Sequence, residues 1–147
     1  MNNPKSTFSI NGHPLHPIAV TFPICLFVSA LVTDIIFERT GDAAWASGSY
    51  WLILGGLVTA VVAASGGLVD FFGDTRIRQL NDAWWHAGAN VMVVLIEAFS
   101  LYYRHKNGAA GVLPVGIILS LISTVLLLFS GWKGGELIYK HRVAVKD

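Results

Sequence analysis

The residues best suited to chemistry in this 147-residue chain are its five histidines. Two of them, His13 and His16, stand in a His-Pro-Leu-His-Pro run just before a long apolar stretch. A residue before proline is driven out of the helical region, which predicts extended backbone at both histidines. Imidazole is a good ligand for iron, copper and zinc. We interpret the run as part of a metal or haem site; the alternative is single interfacial histidines bonded to carbonyls.

The elements that must position these histidines are membrane helices. Apolar residues make up 54% of the chain and charged residues 13%, about half the ~25% typical of soluble domains. About 20 apolar residues cross a bilayer as a helix, and long runs of the chain lack Asp, Glu, Lys and Arg. We predict one all-α domain, residues 1–147, forming an integral membrane up-down four-helix bundle. Its spans are predicted at about 18–37, 50–72, 85–103 and 112–132.

Charge and cysteine content narrow the class further. Seven Lys and Arg side chains fall on the face that holds both termini. Three fall on the other face, in the predicted connections after the first and third spans: Arg39, Arg104 and Lys106. This bias predicts cytoplasmic termini. A net charge of +1 without a basic stripe argues against nucleic-acid binding. The single cysteine, Cys25, excludes a disulfide within the chain. A short leader precedes the first span and an interfacial tail follows the last; a cleaved signal peptide is disfavoured because the apolar run is too long.

Antiparallel spans bring distant polar residues to the end of the bundle that holds the termini. The residues gathered there are His13, His16, Asp70, His86, Asn90 and His141. We predict that the four histidines supply the ligands of a cofactor or metal, and that Asp70 and Asn90 hydrogen-bond their ring nitrogens. The tail must turn back, at the glycine pair 134–135, for the last histidine to reach the others.

Two acidic residues lie inside the apolar spans. Glu97 is deep in the third span, where an acid costs roughly 2.5–3.5 kcal/mol and is expected to face the bundle and find a partner. Asp34 lies near the end of the first span, at a similar side of the membrane, and the alternative for it is a place at the membrane interface. We hypothesise proton handling by Glu97 and Asp34; the alternative is that Glu97 only fixes the register of its helix.

Two motifs at the ends of the chain resemble a known family. They are the run 11–17, Asn-Gly-His-Pro-Leu-His-Pro, and the run 130–141, Ser-Gly-Trp-Lys-Gly-Gly-Glu-Leu-Ile-Tyr-Lys-His. With Asp34, Asp70, His86 and Asn90 between them, they resemble the bacterial four-span membrane proteins of the domain-of-unknown-function 2231 family over essentially the whole chain. Lys133 and Arg142 depart from the usual pattern of the family.

The resemblance implies membrane redox chemistry, because relatives are fused to Rieske-type or cytochrome c domains. Positions shared by the relatives match His13, His16, Asp70, His86 and His141 here, and this supports a b-type haem or metal site. The family itself has no agreed activity. The resemblance also implies a location in the bacterial cytoplasmic (inner) membrane.

The leading hypothesis is a small membrane redox protein that binds haem b and transfers electrons. The alternatives are a haem-free copper or zinc site and a non-catalytic subunit or scaffold; a transporter is the least favoured. No nucleophile with an adjacent base is visible, so electron transfer or cofactor binding is expected rather than catalysis. The expected partners are the lipid bilayer and a redox partner protein, and a homo-oligomer stays open.

Overall fold

The structure, a computed structural model, describes residues 3–145, and nearly all of them are helical. The elements in chain order are β1 (Ser9–Ile10), β2 (His13–Pro14), α1 (His16–Ala19), α2 (Thr21–Thr40), α3 (Ala43–Gly73), α4 (Thr75–Arg78), α5 (Asn81–Asn107) and α6 (Ile117–Tyr139). Short 3-10 and π turns over residues 108–116 join α5 to α6. The two strands form a small antiparallel hairpin. The all-α class predicted from the sequence is confirmed.

Three segments are long and apolar enough to cross a membrane: His16–Thr40, Ala43–Gly73 and Asn81–Tyr139. The third contains both α5 and α6, which the turns over 108–116 separate. α3 begins at 43 rather than 50, because the carboxylate of Asp42 accepts the Ala44 N–H over 2.9 Å and caps the helix. α6 continues through 134–135 to 139, so the glycine pair is not the turn that the sequence suggested.

The long helices pack as two antiparallel pairs, α2 with α3 and α5 with α6. The direction of each pair follows from contacts at its two ends. These contacts join His16 to Ala63 and Asp34 to Ser49 in the first pair, and His86 to Ser130 and Arg104 to Ser120 in the second.

A small apolar core lies where the two pairs meet. It consists of Phe27, Ala30, Ile53, Ala60, Val93 and Leu127. The ring of Phe27 lies so close to α3 that a Cβ at Gly56 would overlap it, so only glycine fits there. Apolar side chains on the outside, such as Leu128 and Trp132, are 71% and 72% exposed. A surface of this kind is suited to lipid.

Asp34 of α2 and Arg104 of α5 form a buried ion pair at the end of the bundle away from the termini. Each of the two terminal guanidinium nitrogens lies 2.7 Å from one carboxylate oxygen. Ser49 of α3 and Ser120 of α6 donate to the same two oxygens over 2.6 and 2.7 Å. Ser100 accepts from the guanidinium Nε over 3.1 Å. The pair is thus bonded to every long helix.

This ion pair corrects one element of the sequence analysis. Arg104 was counted there among the charges of a connection outside the bundle, but its side chain is only 2% exposed and lies within α5. A buried charge is tolerated only when it is paired and hydrogen-bonded. The two groups therefore need each other, and both need the serines that surround them.

We predict that Arg104→Met lowers the free energy of unfolding by about 3–5 kcal/mol, because it leaves the Asp34 carboxylate buried without a cation. Unfolding in mixed micelles, followed by circular dichroism, measures the loss. The double variant Asp34→Leu/Arg104→Met should recover much of it, since no unpaired charge remains. Arg39→Gln is the control, because the Arg39–Glu38 pair is largely exposed. Equal losses in the single and double variants would contradict this account.

Candidate functional site

His16 begins α1 and lies against α3. Its Nδ1 is 2.9 Å from the carbonyl oxygen of Ala63. A carbonyl only accepts hydrogen bonds, so Nδ1 carries the proton and donates, and the lone pair of Nε2 is left available. The ring lies on Gly67, where a Cβ would stand 2.8 Å from its Cε1 atom. The extended backbone expected at this residue is wrong, because Pro17 occupies the first turn of the helix that His16 opens.

His86 lies near the start of α5 and is held against α6 in the same way. Its Nδ1 is 2.9 Å from the carbonyl oxygen of Ser130, and a Cβ at Gly134 would lie 3.1 Å from its Cε1 atom. The amide nitrogen of Asn90 donates to the Ser130 hydroxyl over 2.7 Å and lies 3.3 Å from Nε2 of the ring. The ring is therefore fixed by a backbone carbonyl and covered on one side by an amide.

The two imidazoles face each other across the bundle. Their ring centroids are 6.2 Å apart and their planes are nearly perpendicular, at 86°. Each half of the chain supplies one ring, and each ring is anchored through Nδ1 to the second helix of its own half. The structure thus brings together His16, His86 and Asn90 from the predicted set.

Asp70 is occupied by the leader instead. Its carboxylate accepts the Phe8 N–H over 2.7 Å and the Ser6 hydroxyl over 2.9 Å. The ring of Phe8 then packs on Gly66, where a Cβ would lie 2.6 Å away. Asp70 thereby holds the leader on α3, close to the carbonyl that anchors His16, and no described contact joins it to an imidazole.

The loop between α3 and α5 also holds the leader. The carboxylate of Asp74 caps α4 by accepting the Arg76 N–H over 2.9 Å, and it accepts the Lys5 N–H over 3.2 Å. Hydrogen bonds from the Arg76 guanidinium hold the pKa of the Asp74 carboxyl well below its usual range. The leader is therefore held at two places: at Lys5 by Asp74, and at Ser6 and Phe8 by Asp70.

The other two predicted ligands lie apart from the imidazole pair. His13 is exposed in β2, in the extended backbone expected for it. His141 does fold back with the tail, but its Nε2 lies 2.8 Å from Asp82 at the start of α5. Lys133 donates to the same carboxylate over 2.9 Å. The tail histidine thus belongs to an ion-pair network that ties α6 and the tail to α5.

Glu97 lies between the imidazole pair and the Asp34–Arg104 ion pair. Its side chain has no exposed surface. By distance and angle, neither of its carboxyl oxygens makes a hydrogen bond among residues 3–145. The hydroxyl of Ser123 on α6 makes none either, although it lies close enough to Glu97 to interact with it.

Sequence reasoning missed the groups that orient the rings. The backbone carbonyls of Ala63 and Ser130 have no residue signature, so no motif could have pointed to them. One regular spacing in the sequence does relate the residues that pair: His16 and His86 are 70 residues apart, as are Asp34 and Arg104. Equal spacings at both ends of the bundle indicate two halves with the same plan.

The two rings could supply two nitrogen ligands to one bound group. Within residues 3–145 no group of three or more His, Cys, Asp and Glu side chains is arranged to hold a metal ion. Two imidazoles suffice for haem, because the macrocycle itself supplies the remaining ligands. Both rings present the protonation pattern that ligation requires, with Nδ1–H engaged by a carbonyl and Nε2 carrying the lone pair.

Comparison with protein families matches residues 12–147 to the family described as "Predicted membrane protein (DUF2231)". Comparisons with curated proteins and with solved structures found no match. The matched segment includes both imidazoles, the buried ion pair, Glu97 and the whole of the four long helices. The chain therefore belongs to the DUF2231 family of predicted membrane proteins.

Proposed function

We propose that this membrane protein binds one b-type haem between His16 and His86 and serves in electron transfer. The observation that carries the proposal is the imidazole pair itself. Two rings from different halves of the chain stand 6.2 Å apart, each with Nδ1 bonded to a backbone carbonyl. Such anchoring fixes the tautomer and raises the basicity of the nitrogen that binds a metal.

The separation of the rings fits two ligands of one metal. Imidazole nitrogen binds metals at about 2.0 Å, so two opposed imidazoles have their centroids about 6.3 Å apart. The observed 6.2 Å agrees with that value. The perpendicular ring planes are compatible with this, since two ligands of one metal can hold their ring planes at any angle to each other.

The residues of the chain would tune and protect such a centre. A haem held by both His16 and His86 would supply one-electron chemistry, and this would favour electron transfer over oxygen activation. Ala63 and Ser130 hold the rings through their carbonyls, and Asn90 lies beside Nε2 of His86. In this proposal Asn90 would keep its hydrogen bond to the Ser130 hydroxyl and leave Nε2 of His86 to hold the haem.

The wider ligand set that the sequence suggested is not needed for this site. His13, Asp70 and His141 have other surroundings in the structure, so His16 and His86 alone would hold the haem. Two alternatives would replace the haem proposal. One is copper or zinc bound by the same imidazoles, and the other is a scaffold without a cofactor. A redox partner protein would approach the end of the bundle that holds the termini, where this pair lies.

We further propose that α2, α3, α5 and α6 each cross a bacterial cytoplasmic membrane, with both termini in the cytoplasm. The antiparallel pairing of α5 with α6 supports two crossings in the segment Asn81–Tyr139. The burial of Arg104 leaves two Lys or Arg side chains outside the bundle at the far face, Arg39 and Lys106. The bias towards cytoplasmic termini is therefore larger than the plain count of charges suggested.

The haem proposal predicts a Soret band in protein purified in mild detergent after expression with ample haem. His16→Ala and His86→Ala should each abolish it, because one axial ligand is removed. His105→Ala is the matched control, since that ring contacts Tyr50 at the other end of the bundle, and it should leave the band unchanged.

Two further measurements keep this test decisive. In His86→Gly, added imidazole should restore the spectrum if the ring acts as a ligand rather than as a packing element. Elemental analysis of the wild-type protein reports copper or zinc. Protein that is folded, free of haem and rich in either metal would replace the haem proposal by the metal site; folded protein with neither would favour the scaffold.

The close contact of each ring with a glycine gives a second prediction. Gly67→Ala should lower the haem content and shift the spectrum, because the new methyl group would stand 2.8 Å from the His16 ring and push it from its carbonyl. Gly131→Ala, with nothing within 4 Å of its Cβ position, is the control and should bind haem normally. Equal haem content in the two variants would show that ring position does not matter.

The proposed orientation is tested by labelling single cysteines in intact cells. On a Cys25→Ser background, Ser47→Cys at the start of α3 should react with a membrane-impermeant thiol reagent. Ser9→Cys in the leader should react only after the membrane is opened. Both positions are exposed, so they form a matched pair. The reverse pattern, or labelling of both from outside, would refute cytoplasmic termini.

A further inference from the structure

The two carboxylic acids buried in the bundle have very different surroundings. Asp34 receives hydrogen bonds from Arg104, Ser49 and Ser120. Glu97, which is equally buried, has no hydrogen-bond partner for either oxygen in the described part of the chain. An ionised carboxylate without hydrogen bonds is very costly in an apolar interior, whereas a protonated one costs far less.

The charges near Glu97 do not compensate its ionisation. The titratable groups that act on it are Arg104, about two turns further along α5, and Asp34 of the facing α2. These two form a tight ion pair, so their fields largely cancel at Glu97. The side chain facing it from α6 is Ser123, and α3 presents apolar side chains such as Ile53 to the core. An added negative charge would therefore stand uncompensated.

We propose that Glu97 is a proton-binding site that exchanges with water at the end of the bundle away from the termini. The proton moves from hydronium to one carboxylate oxygen of Glu97, which leaves water and a neutral carboxyl group. Two oxygen-bearing side chains, Glu97 and Ser123, meet there, which is far fewer ligands than sodium or calcium requires. The proton is therefore the ligand that fits, and this site does not depend on haem.

A cavity of about 350 Å³ marks the side from which the proton arrives. It opens at the far end of the bundle, and its lining includes Ser47, Tyr50, His105 and the guanidinium-bearing Arg104. From Arg104 a hydrogen bond of 3.1 Å leads to the Ser120 hydroxyl, and Ser123 follows one turn later on α6. Ser123 is the hydroxyl nearest to Glu97 on this side, and in this proposal it would pass the proton on to Glu97.

The other direction is closed by apolar side chains. Val93 on α5 and Leu127 on α6 lie between Glu97 and the level of Asn90 and His86, and they are 2% and 8% exposed. They belong to the apolar core where the helix pairs meet. A proton on Glu97 therefore returns to the side from which it came.

Infrared spectroscopy of the full chain in lipid vesicles tests the proposal. At neutral pH the wild type should show the carbonyl stretch of a protonated carboxylic acid, and Glu97→Gln should lose it. Glu38→Gln, which removes an exposed carboxylate on α2, should keep the band. Ser123→Ala, a small change, should shift the band and serves if Glu97→Gln does not fold. Folded wild-type protein without a band, or a band unaffected by both changes at the site, would overturn the assignment.

Exchange in heavy water tests the side of access. The band should shift to its deuterated position several-fold more slowly in Ser47→Phe, because an aromatic ring at the mouth of the cavity excludes water. Gly48→Ala is the control, since nothing lies within 4 Å of its Cβ position, and it should exchange at the wild-type rate. Unchanged exchange in Ser47→Phe would refute the route. The Soret band reports on the haem separately, so failure of one proposal is distinguishable from failure of the other.

Discussion

The buried Asp34–Arg104 ion pair is the constraint that fixes how the four long helices meet. Taken separately, the two charges would each cost several kcal/mol inside an apolar bundle. Together they form two hydrogen bonds of 2.7 Å, and serines from α3, α5 and α6 fill much of their remaining capacity. Apolar contact gives little drive for helices to associate in lipid. A hydrogen-bonded cluster that needs a side chain from each of the four helices therefore favours one packing of the helices over the others.

The chain has two halves of similar construction, and each half contributes one polar side chain to the pair at each end of the bundle. Each half is a helix pair with a histidine at or near the start of its first helical segment. That histidine is bonded through Nδ1 to a carbonyl of the second helix and packs on a glycine four residues further along it. The halves meet as one ion pair at the far end and as two facing imidazoles at the near end, with the same spacing of 70 residues. A repeat of this kind builds one central site from two similar parts.

The sequence alone predicts the features that show in the pattern of apolar and polar residues. Apolar runs give the helices, and antiparallel order places His16 and His86 at one end. It could not identify the ring-anchoring carbonyls, since any residue supplies one. It also misplaced Arg104, because a charge at the edge of an apolar run reads as the start of a loop unless its partner on another helix is known. Asp70 went to the leader for a similar reason: the backbone N–H of Phe8, 62 residues away, reaches it only in the folded chain.

The distance between the two proposed sites sets how strongly an electron and a proton could influence each other. Glu97 and His86 are eleven residues apart on α5, or about 16 Å along the helix. Two unit charges at that distance interact by about 1 kcal/mol at an effective dielectric constant near 20, which changes an equilibrium about fivefold. Direct electrostatics therefore permits only weak coupling. A tight link would need the helices to move, and the ion pair that bonds all four of them opposes such movement.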